Sequence, residues 1–312
     1  MARLVQVGLV NVSLASVPLK QRRQELIHFV ETAGKQGSNI VLLPEWATHH
    51  RCKESLENYG KLPPAAWAKI VGMRPDDPFL KTMARLAKQF KMVVIPDPLL
   101  LGKKEATNTC LVYGPLGRIL GSYTKTHLAP GECRTVARGE SLRPIATPFG
   151  KLGLLICFDI NFPELTRTYE LQGAELLLWT TMRQGSNEDG LYRCRLPARC
   201  MEHNLPLGVA TWVEEEQLLS RAPMASILYN QLGQPVAGGA LTPGVVQGTV
   251  DLDAQPIDQR EWGHPELVVA GSYVRRQRRP DLYGPLVKGL SAAEADPARE
   301  PVVGKLARFD HV

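Results

Sequence analysis

The chain has 312 residues, of which 44% are hydrophobic and 22% charged, so it can bury a sizeable core in one large domain or two smaller ones. No apolar run approaches the roughly 18 residues of a membrane span, and the apolar part of the N-terminus is too short for a signal peptide. The net charge of +6 is mild, and the densest basic run, Arg275–Arg279, belongs to no recognisable nucleic-acid-binding module although Tyr273 and Tyr283 flank it. We therefore expect a soluble globular protein that binds neither membranes nor nucleic acid, with the basic run on a solvated face or a subunit contact.

Six cysteines are scattered along the chain without the paired spacing of a disulfide framework or a zinc site. The sequence neighbours His49 and His50 point in different directions, which makes them a poor pair of metal ligands. This pattern predicts reduced thiols, a cytoplasmic location, and neither a metal nor a cofactor. The cysteines are Cys52, Cys110, Cys133, Cys157, Cys194 and Cys200.

Strand and helix patterns alternate along most of the chain. No stretch has the composition of a linker, so we expect one domain in which helices cover a mixed sheet, followed by an extended tail. The predicted strands are Leu4–Val10, Asn39–Leu43, Met92–Ile95, Asn108–Tyr113, Arg118–Tyr123, Leu152–Cys157, Glu175–Trp179, Leu207–Thr211, Ala225–Tyr229, Gln234–Ala237 and Gly248–Leu252. The predicted helices are Pro18–Gly34, Phe79–Phe90, Pro163–Gly173 and Leu191–Asn204.

Three chemically reactive residues stand where predicted strands end. Glu45 follows an apolar run, Lys125 follows the first hairpin, and Cys157 ends the strand before a short turn. Taken singly, they could be an exposed loop glutamate, a surface lysine and a buried structural cysteine. Because strand ends in open α/β sheets line the binding crevice, we expect the three side chains to lie together. Together they supply a base for a thiol and a positive charge for an oxyanion.

At these positions the chain resembles the nitrilase superfamily of carbon–nitrogen hydrolases. The resemblance covers roughly residues 1–285, with residues 286–312 as a tail and candidate subunit arm. It implies an α/β fold, a four-layer α-β-β-α sandwich with mixed sheets, and a homodimer or larger homo-oligomer. The motifs that carry it, in chain order, are Leu43-Pro44-Glu45, then Tyr123-x-Lys125-x-His127-Leu128, then Cys157-Phe158-Asp159-Ile160-x-Phe162-Pro163-Glu164.

The same resemblance implies a Glu–Lys–Cys triad that hydrolyses a carbon–nitrogen bond through a thioester. Glu45 would take the proton from Cys157, and Lys125 with the Phe158 N–H would hold the oxyanion. Glu132 matches a second glutamate that positions the lysine and the substrate in many amidase members; a simple turn residue is the alternative.

The residues after the cysteine point to a branch of the superfamily. Phe158-Asp159 resembles the amidase and carbamoyl-hydrolase branches, whereas the nitrile-hydrolysing branch typically has Trp-Glu there. We therefore expect hydrolysis of a small linear amide or N-carbamoyl compound; a nitrilase and a non-catalytic scaffold of the same fold are the alternatives. Asn161 stands where many members carry Arg, and Pro96-Asp97-Pro98 where many have a glycine-containing stretch.

The sequence also offers candidate pocket residues beside the triad. His127 and Phe162 come from the second and third motifs, and Thr181 and Arg183 follow a predicted strand. Arg183 could bind a substrate carboxylate or could be an exposed loop residue.

Overall fold

The computed structural model describes residues 2–49, 52–53, 62–102, 106–129, 132–182, 189–213, 225–254, 257–261, 264–270 and 277–289. The chain divides into two compact units, Met1–Ser272 and Tyr273–Val312. The described part of the second unit contains two short 3₁₀-helices, Pro280–Leu282 and Gly284–Val287. Most of the predicted tail lies outside the described residues, so the domain boundary at 285 and the subunit arm stay predictions.

The described residues form five α-helices, whose ends follow ordinary capping chemistry. Helix α3 begins at Pro78 and α4 at Pro163, which suits the first turn because proline has no N–H to leave unpaired. The Asp77 side chain accepts the Phe79 N–H at 2.8 Å at the start of α3, and Lys91 in the left-handed conformation ends that helix. The helices are α1 (Leu19–Lys35), α2 (Pro64–Val71), α3 (Pro78–Phe90), α4 (Pro163–Leu171) and α5 (Asp189–His203).

Fourteen of the sixteen described strands form one sheet, and the last two form a separate hairpin. The strands are β1 (Leu4–Ser13), β2 (Ile40–Leu42), β3 (Val93–Ile95), β4 (Leu99–Leu101), β5 (Ala106–Tyr113), β6 (Ile119–Thr124), β7 (Val136–Ala137), β8 (Ile145–Thr147), β9 (Gly150–Ile156), β10 (Leu176–Thr180), β11 (Leu207–Val213), β12 (Ile227–Tyr229), β13 (Pro235–Gly238), β14 (Gly244–Asp251), β15 (Ile257–Glu261) and β16 (His264–Ala270). The central path is β4-β5-β3-β2-β1-β11-β10-β9-β8.

Strand direction brings several strand ends to one edge of this sheet. The strands β3, β2, β1, β11, β10 and β9 are parallel along the path. Strand β5 is antiparallel to β3, and β6 is antiparallel to β5, so β6 runs in the same direction as β3. The carboxyl ends of β2, β6 and β9 therefore point the same way, and each is followed by one residue of the predicted triad.

The sheet is curled, and its two halves enclose the main core. Alternate residues of a strand face opposite sides, and in β2 Ile40 and Leu42 face the enclosed cluster while Val41 faces helices α1 and α3. In β9, Leu154 joins the enclosed cluster and Leu155 packs with residues of α4 and α5. The order of layers is thus helix, sheet, sheet, helix, which confirms the predicted four-layer α/β sandwich.

The predicted element order is confirmed, but several boundaries and elements differ. Cys157 is not the last residue of its strand; β9 ends at Ile156 and a 3₁₀-helix begins at Cys157. Helix α2 and the strands β4, β7, β8, β15 and β16 were not predicted, because these segments are short or lack a clear apolar period. None of the helices in the described ranges combines the length and hydropathy needed to cross a bilayer.

Candidate active site

Glu45 is a buried carboxylate whose two oxygens are both hydrogen-bonded. Its side chain is three residues beyond β2, and the residue is only 1% exposed. Oε1 accepts hydrogen bonds from Lys125 Nζ at 3.1 Å and from Asn108 Nδ2 at 2.7 Å. Oε2 accepts a hydrogen bond from the Met182 N–H at 2.9 Å. The Glu45 carbonyl also accepts Trp212 Nε1 at 2.9 Å. An exposed loop glutamate is therefore excluded, and the carboxylate is held in one orientation.

Lys125 is a buried ammonium group between two carboxylates. It directly follows β6 and is 1% exposed, so the surface-lysine alternative is wrong. Its Nζ lies 3.1 Å from Glu45 Oε1 and 2.9 Å from Glu132 Oε1. Burial by itself lowers the pKa of Lys125, but the charges of Glu45, Cys157 and Glu132 outweigh it and hold that pKa above its ordinary value. The lysine therefore keeps a full positive charge at the centre of the cluster.

Cys157 occupies a sharp turn between β9 and the 3₁₀-helix Cys157–Asn161. Its φ of +47° lies in the left-handed region, where a residue with a side chain is strained, and such strain collects at functional sites. Its carbonyl accepts Trp179 Nε1 at 2.9 Å, which helps to fix this turn. The backbone N–H of Phe158 lies in the first turn of the helix, where N–H groups have no intrahelical acceptor.

The thiol of Cys157 is surrounded by charged and polar groups of the same cluster. Burial raises its pKa, and the negative charge of Glu45 raises it further. Lys125 and a hydrogen bond from the Thr181 side chain act in the opposite direction without cancelling the rise. The resting sulfur is therefore a neutral thiol, which needs a nearby base to become a nucleophile.

Glu132 is partly buried at the start of the 3₁₀-helix Glu132–Arg134. Its carboxylate accepts a hydrogen bond from Lys125 Nζ, and its Oε2 accepts a hydrogen bond from the Ala129 N–H at 2.6 Å. Burial and the charge of Glu45 raise the pKa of Glu132, while Lys125 lowers it. The residue thus binds the lysine and also closes its own turn, and its role toward the substrate stays a prediction.

The predicted pocket residues fall into three groups. Thr181 is fully buried beside the Cys157 thiol. His127 and Phe162 stack on each other with ring centroids 3.9 Å apart, and Phe158 meets Phe162 edge-on at 5.6 Å. Arg183 lies outside the described residues. That these side chains contact substrate stays a prediction.

A second buried carboxyl, Asp97, lies near Glu45 and was not predicted as part of the site. Its backbone carbonyl accepts the Trp46 N–H at 3.0 Å, and its side chain is 1% exposed. Neither carboxyl oxygen meets a nitrogen or oxygen partner at hydrogen-bond geometry among the described residues, and the Cys110 thiol is the side chain that interacts with it. Burial, and after it the charge of Glu45, raises the pKa of Asp97 well above its ordinary value. The surroundings of Asp97 therefore favour its protonated form.

Sequence reasoning also missed three side chains that hold the triad. Asn108 binds Glu45 from the interior of β5, and Trp179 and Trp212 bind the carbonyls of Cys157 and Glu45. A tryptophan within an apolar strand is normally predicted to be a core residue, so the sequence did not indicate that either indole binds a backbone carbonyl of the site. The signal for Asn108 was its polarity between buried strand residues. In the part of the chain that the structure describes, no group of three or more His, Cys, Asp or Glu side chains could hold a metal ion.

The comparisons with known proteins agree with this geometry. A family model described as carbon–nitrogen hydrolase matches residues 4–255. A probable nitrilase of Schizosaccharomyces pombe is 29% identical over 269 residues, which cover 84% of this chain and 90% of the relative. The human omega-amidase NIT2 is 25% identical over 268 residues, covering 82% and 88% of the two chains.

A solved structure supplies the corresponding comparison of folds. It is a mutant amidase from Nesterenkonia sp. in which acrylamide has added to the active-site cysteine. It superposes with a TM-score of 0.66 at 19% identity, covering 91% of this chain and all of that one. The family model spans most of the residues that form the sandwich and the site. The chain therefore belongs to the carbon–nitrogen hydrolase family of the nitrilase superfamily.

Proposed function

We propose that this enzyme hydrolyses a small linear amide or an N-carbamoyl compound through a thioester on Cys157. The observation that carries the proposal is the placement of one buried lysine, Lys125, between the carboxylates of Glu45 and Glu132, in electrostatic contact with the Cys157 thiol. A base, a fixed positive charge and a thiol are the parts that acyl transfer through sulfur requires.

In the first step, Glu45 takes the proton of the Cys157 thiol, and the sulfur forms a bond to the amide carbon. The carbonyl π electrons move to oxygen, which becomes an oxyanion. Lys125 and the Phe158 N–H stabilise that charge. Because the thiol pKa is raised, this proton transfer is coupled to attack rather than completed beforehand.

In the second step, the oxyanion collapses and the carbon–nitrogen bond breaks. Protonated Glu45 gives its proton to the leaving nitrogen, so ammonia or an amine departs and a thioester remains. Glu45 then takes a proton from water, whose oxygen forms a bond to the thioester carbon and gives a second oxyanion. This oxyanion collapses, the carbon–sulfur bond breaks, the acid leaves, and protonated Glu45 returns its proton to the sulfur. Glu132 keeps Lys125 in position during both steps. The Nesterenkonia amidase, which has the same fold, also has an active-site cysteine that forms a covalent adduct with acrylamide.

A nitrilase is the second candidate, because the fission yeast relative carries that name. The omega-amidase relatives and the Phe158-Asp159 pair favour amides. An amidase and a nitrilase differ in the class of compound from which each releases ammonia.

The test is an ammonia-release screen over linear amides, N-carbamoyl amino acids, N-carbamoyl amines and nitriles. We expect release from at least one amide or carbamoyl class, and none from nitriles. Cys157→Ala should abolish it and remain folded, whereas Cys133→Ala, which removes an exposed cysteine, should keep it. Turnover that survives in Cys157→Ala would contradict the mechanism, and release from nitriles alone would favour the nitrilase.

We also propose a cytoplasmic enzyme that forms a homodimer or larger homo-oligomer and needs no cofactor. All six cysteines are unpaired, which suits a reducing compartment. Light scattering after size-exclusion chromatography measures the assembly, and a monomer over the whole working concentration range would contradict it.

A further inference from the structure

Asp159 is a buried carboxylate that the proposed mechanism does not use. It lies two residues after Cys157 in the 3₁₀-helix Cys157–Asn161, and it is fully buried. A carboxylate in such a place costs free energy unless hydrogen bonds compensate for the lost water. Its two oxygens accept hydrogen bonds from two different segments of the site.

Oxygen Oδ2 binds one residue from each of the two segments. It accepts a hydrogen bond from the N–H of Ile156, the residue before Cys157, at 2.9 Å. It also accepts a hydrogen bond from the hydroxyl of Tyr123, two residues before Lys125, at 2.7 Å. This oxygen therefore connects the turn that displays the sulfur to the strand that leads to the lysine.

Oxygen Oδ1 accepts hydrogen bonds from the segment that follows the lysine. It accepts the backbone N–H of His127 at 3.0 Å, and the ring Nδ1 of His127 lies 3.2 Å away. The hydroxyl of Thr126 adds a longer contact at 3.4 Å. Lys125 lies between Tyr123 on one side and Thr126 and His127 on the other. All three of these residues contact the carboxylate that also binds the turn of the cysteine, so Asp159 connects the two segments.

We propose that Asp159 is a positioning residue that sets the separation between the Lys125 ammonium and the Cys157 sulfur. The inference rests on the proposed roles of those two residues. An oxyanion is stabilised only by donors at about 2.7–3.1 Å from its oxygen, and a misplacement of roughly 1 Å can cost about a hundredfold in rate. A carboxylate suits this task because both its oxygens only accept hydrogen bonds.

The informative variant is Asp159→Asn, which has nearly the same shape. Its amide keeps one acceptor oxygen, and its NH₂ group faces an N–H or hydroxyl donor on the other side. Either the nucleophile turn or the lysine segment therefore loses its acceptor. We expect kcat to fall about 10- to 100-fold while KM changes less than about threefold.

The matched control is Tyr169→Phe. Tyr169 is buried in the same region, and its hydroxyl donates to the Leu154 carbonyl at 2.8 Å rather than to Asp159. Its ring meets Tyr123 edge-on at 6.3 Å, and phenylalanine keeps that ring. This variant should lose stability comparable to one buried hydrogen bond and keep its kcat. Thermal unfolding of both variants shows whether each is folded.

A second measurement follows the rate of Cys157 alkylation by iodoacetamide at a fixed, mildly alkaline pH, read by mass spectrometry on the peptide that contains this cysteine. Because Lys125 favours the thiolate, displacement of the lysine in Asp159→Asn should slow this alkylation. A folded Asp159→Asn enzyme with wild-type kcat and an unchanged alkylation rate would overturn the inference. Turnover that persists in Cys157→Ala would instead overturn the proposed function on which it rests.

Discussion

Asn108 donates its side-chain amide to Glu45 Oε1 at 2.7 Å, so the interior of strand β5 orients a carboxylate that follows strand β2. The same oxygen receives Lys125 Nζ at 3.1 Å. Glu45 Oε1 thus connects the residues that follow β2 and β6 to a residue within β5. The precision of the site depends on the rigidity of the sheet rather than on the loops around it.

Asn108→Leu tests this relationship, because leucine keeps a similar volume and removes the donor. We expect kcat to fall about tenfold, since Glu45 loses one of the contacts that orient it, and stability to fall by about 1–3 kcal/mol. Steady-state kinetics and denaturant unfolding measure the two effects. The control is Thr109→Val on the same strand, whose hydroxyl binds Thr107 and Thr124 instead. Equal losses of kcat in both variants would contradict the assigned role.

Lys125→Met leaves the carboxylates of Glu45 and Glu132 facing each other without a cation. We expect roughly a 10²- to 10³-fold loss of kcat, because the oxyanion loses its charged partner. Breaking a buried ion pair on one side also costs about 3–5 kcal/mol of stability. Lys151→Met, at an exposed lysine of β9, should change neither quantity. Ammonia release and urea unfolding provide the comparison, and a Lys125→Met enzyme of wild-type activity would exclude the oxyanion role.

The left-handed backbone of Cys157 predicts a difference between two inactive variants. Glycine adopts a φ of +47° without strain, whereas alanine does not. Cys157→Gly should therefore be more stable than Cys157→Ala by about 1 kcal/mol, although glycine usually destabilises a chain. Chemical denaturation of the two proteins measures the difference. An alanine variant of equal or higher stability would show that the turn stores no backbone strain.

The raised pKa of Asp97 predicts how the free energy of unfolding depends on pH. Burial raises the pKa of Asp97 above its unfolded value, so the folded chain retains a proton that the unfolded chain releases near pH 4. The stability contributed by this group is present below the unfolded pKa and is lost as pH rises toward the folded pKa. Asp97→Asn cannot release a proton, so its Tm advantage over the wild type should grow between pH 5 and pH 8.

The control for Asp97→Asn is Asp76→Asn, at an exposed carboxyl. Its Tm difference from the wild type should stay flat across the same pH range. Scanning calorimetry gives both series, and an Asp97→Asn difference that stays flat as the pH rises would show that Asp97 is ionised in the folded protein.

The sequence was enough to predict a mixed sheet covered by helices and the three strand-end residues, because both depend on local patterns. The four-layer arrangement was implied by the resemblance to the nitrilase superfamily. Apolar runs, their terminators and the order Glu45, Lys125, Cys157 are visible within short windows. The supporting contacts were not visible, because they join residues far apart in the chain. Asn108 is 63 residues from Glu45, and Trp212 is 167 residues from it. Such contacts depend on strand order and register, which hydrophobic periodicity does not specify.

Strand β15 shows the other limit of prediction. Its residues, Ile257–Glu261, are mostly polar and carry no apolar alternation. The strand pairs with the antiparallel strand β16. A short run of mostly polar residues carries little strand signal, because strand propensity depends on the partner strand as well as on the residues themselves.

The curled sheet has a consequence for how the enzyme becomes active. Glu45 and Lys125 follow strands in one half of the sheet, and Cys157 follows a strand in the other, with the enclosed core between the halves. Neither half contains a working set of groups, so catalysis begins only when the two halves have closed on each other. During refolding, ammonia release should accordingly appear together with the last cooperative transition.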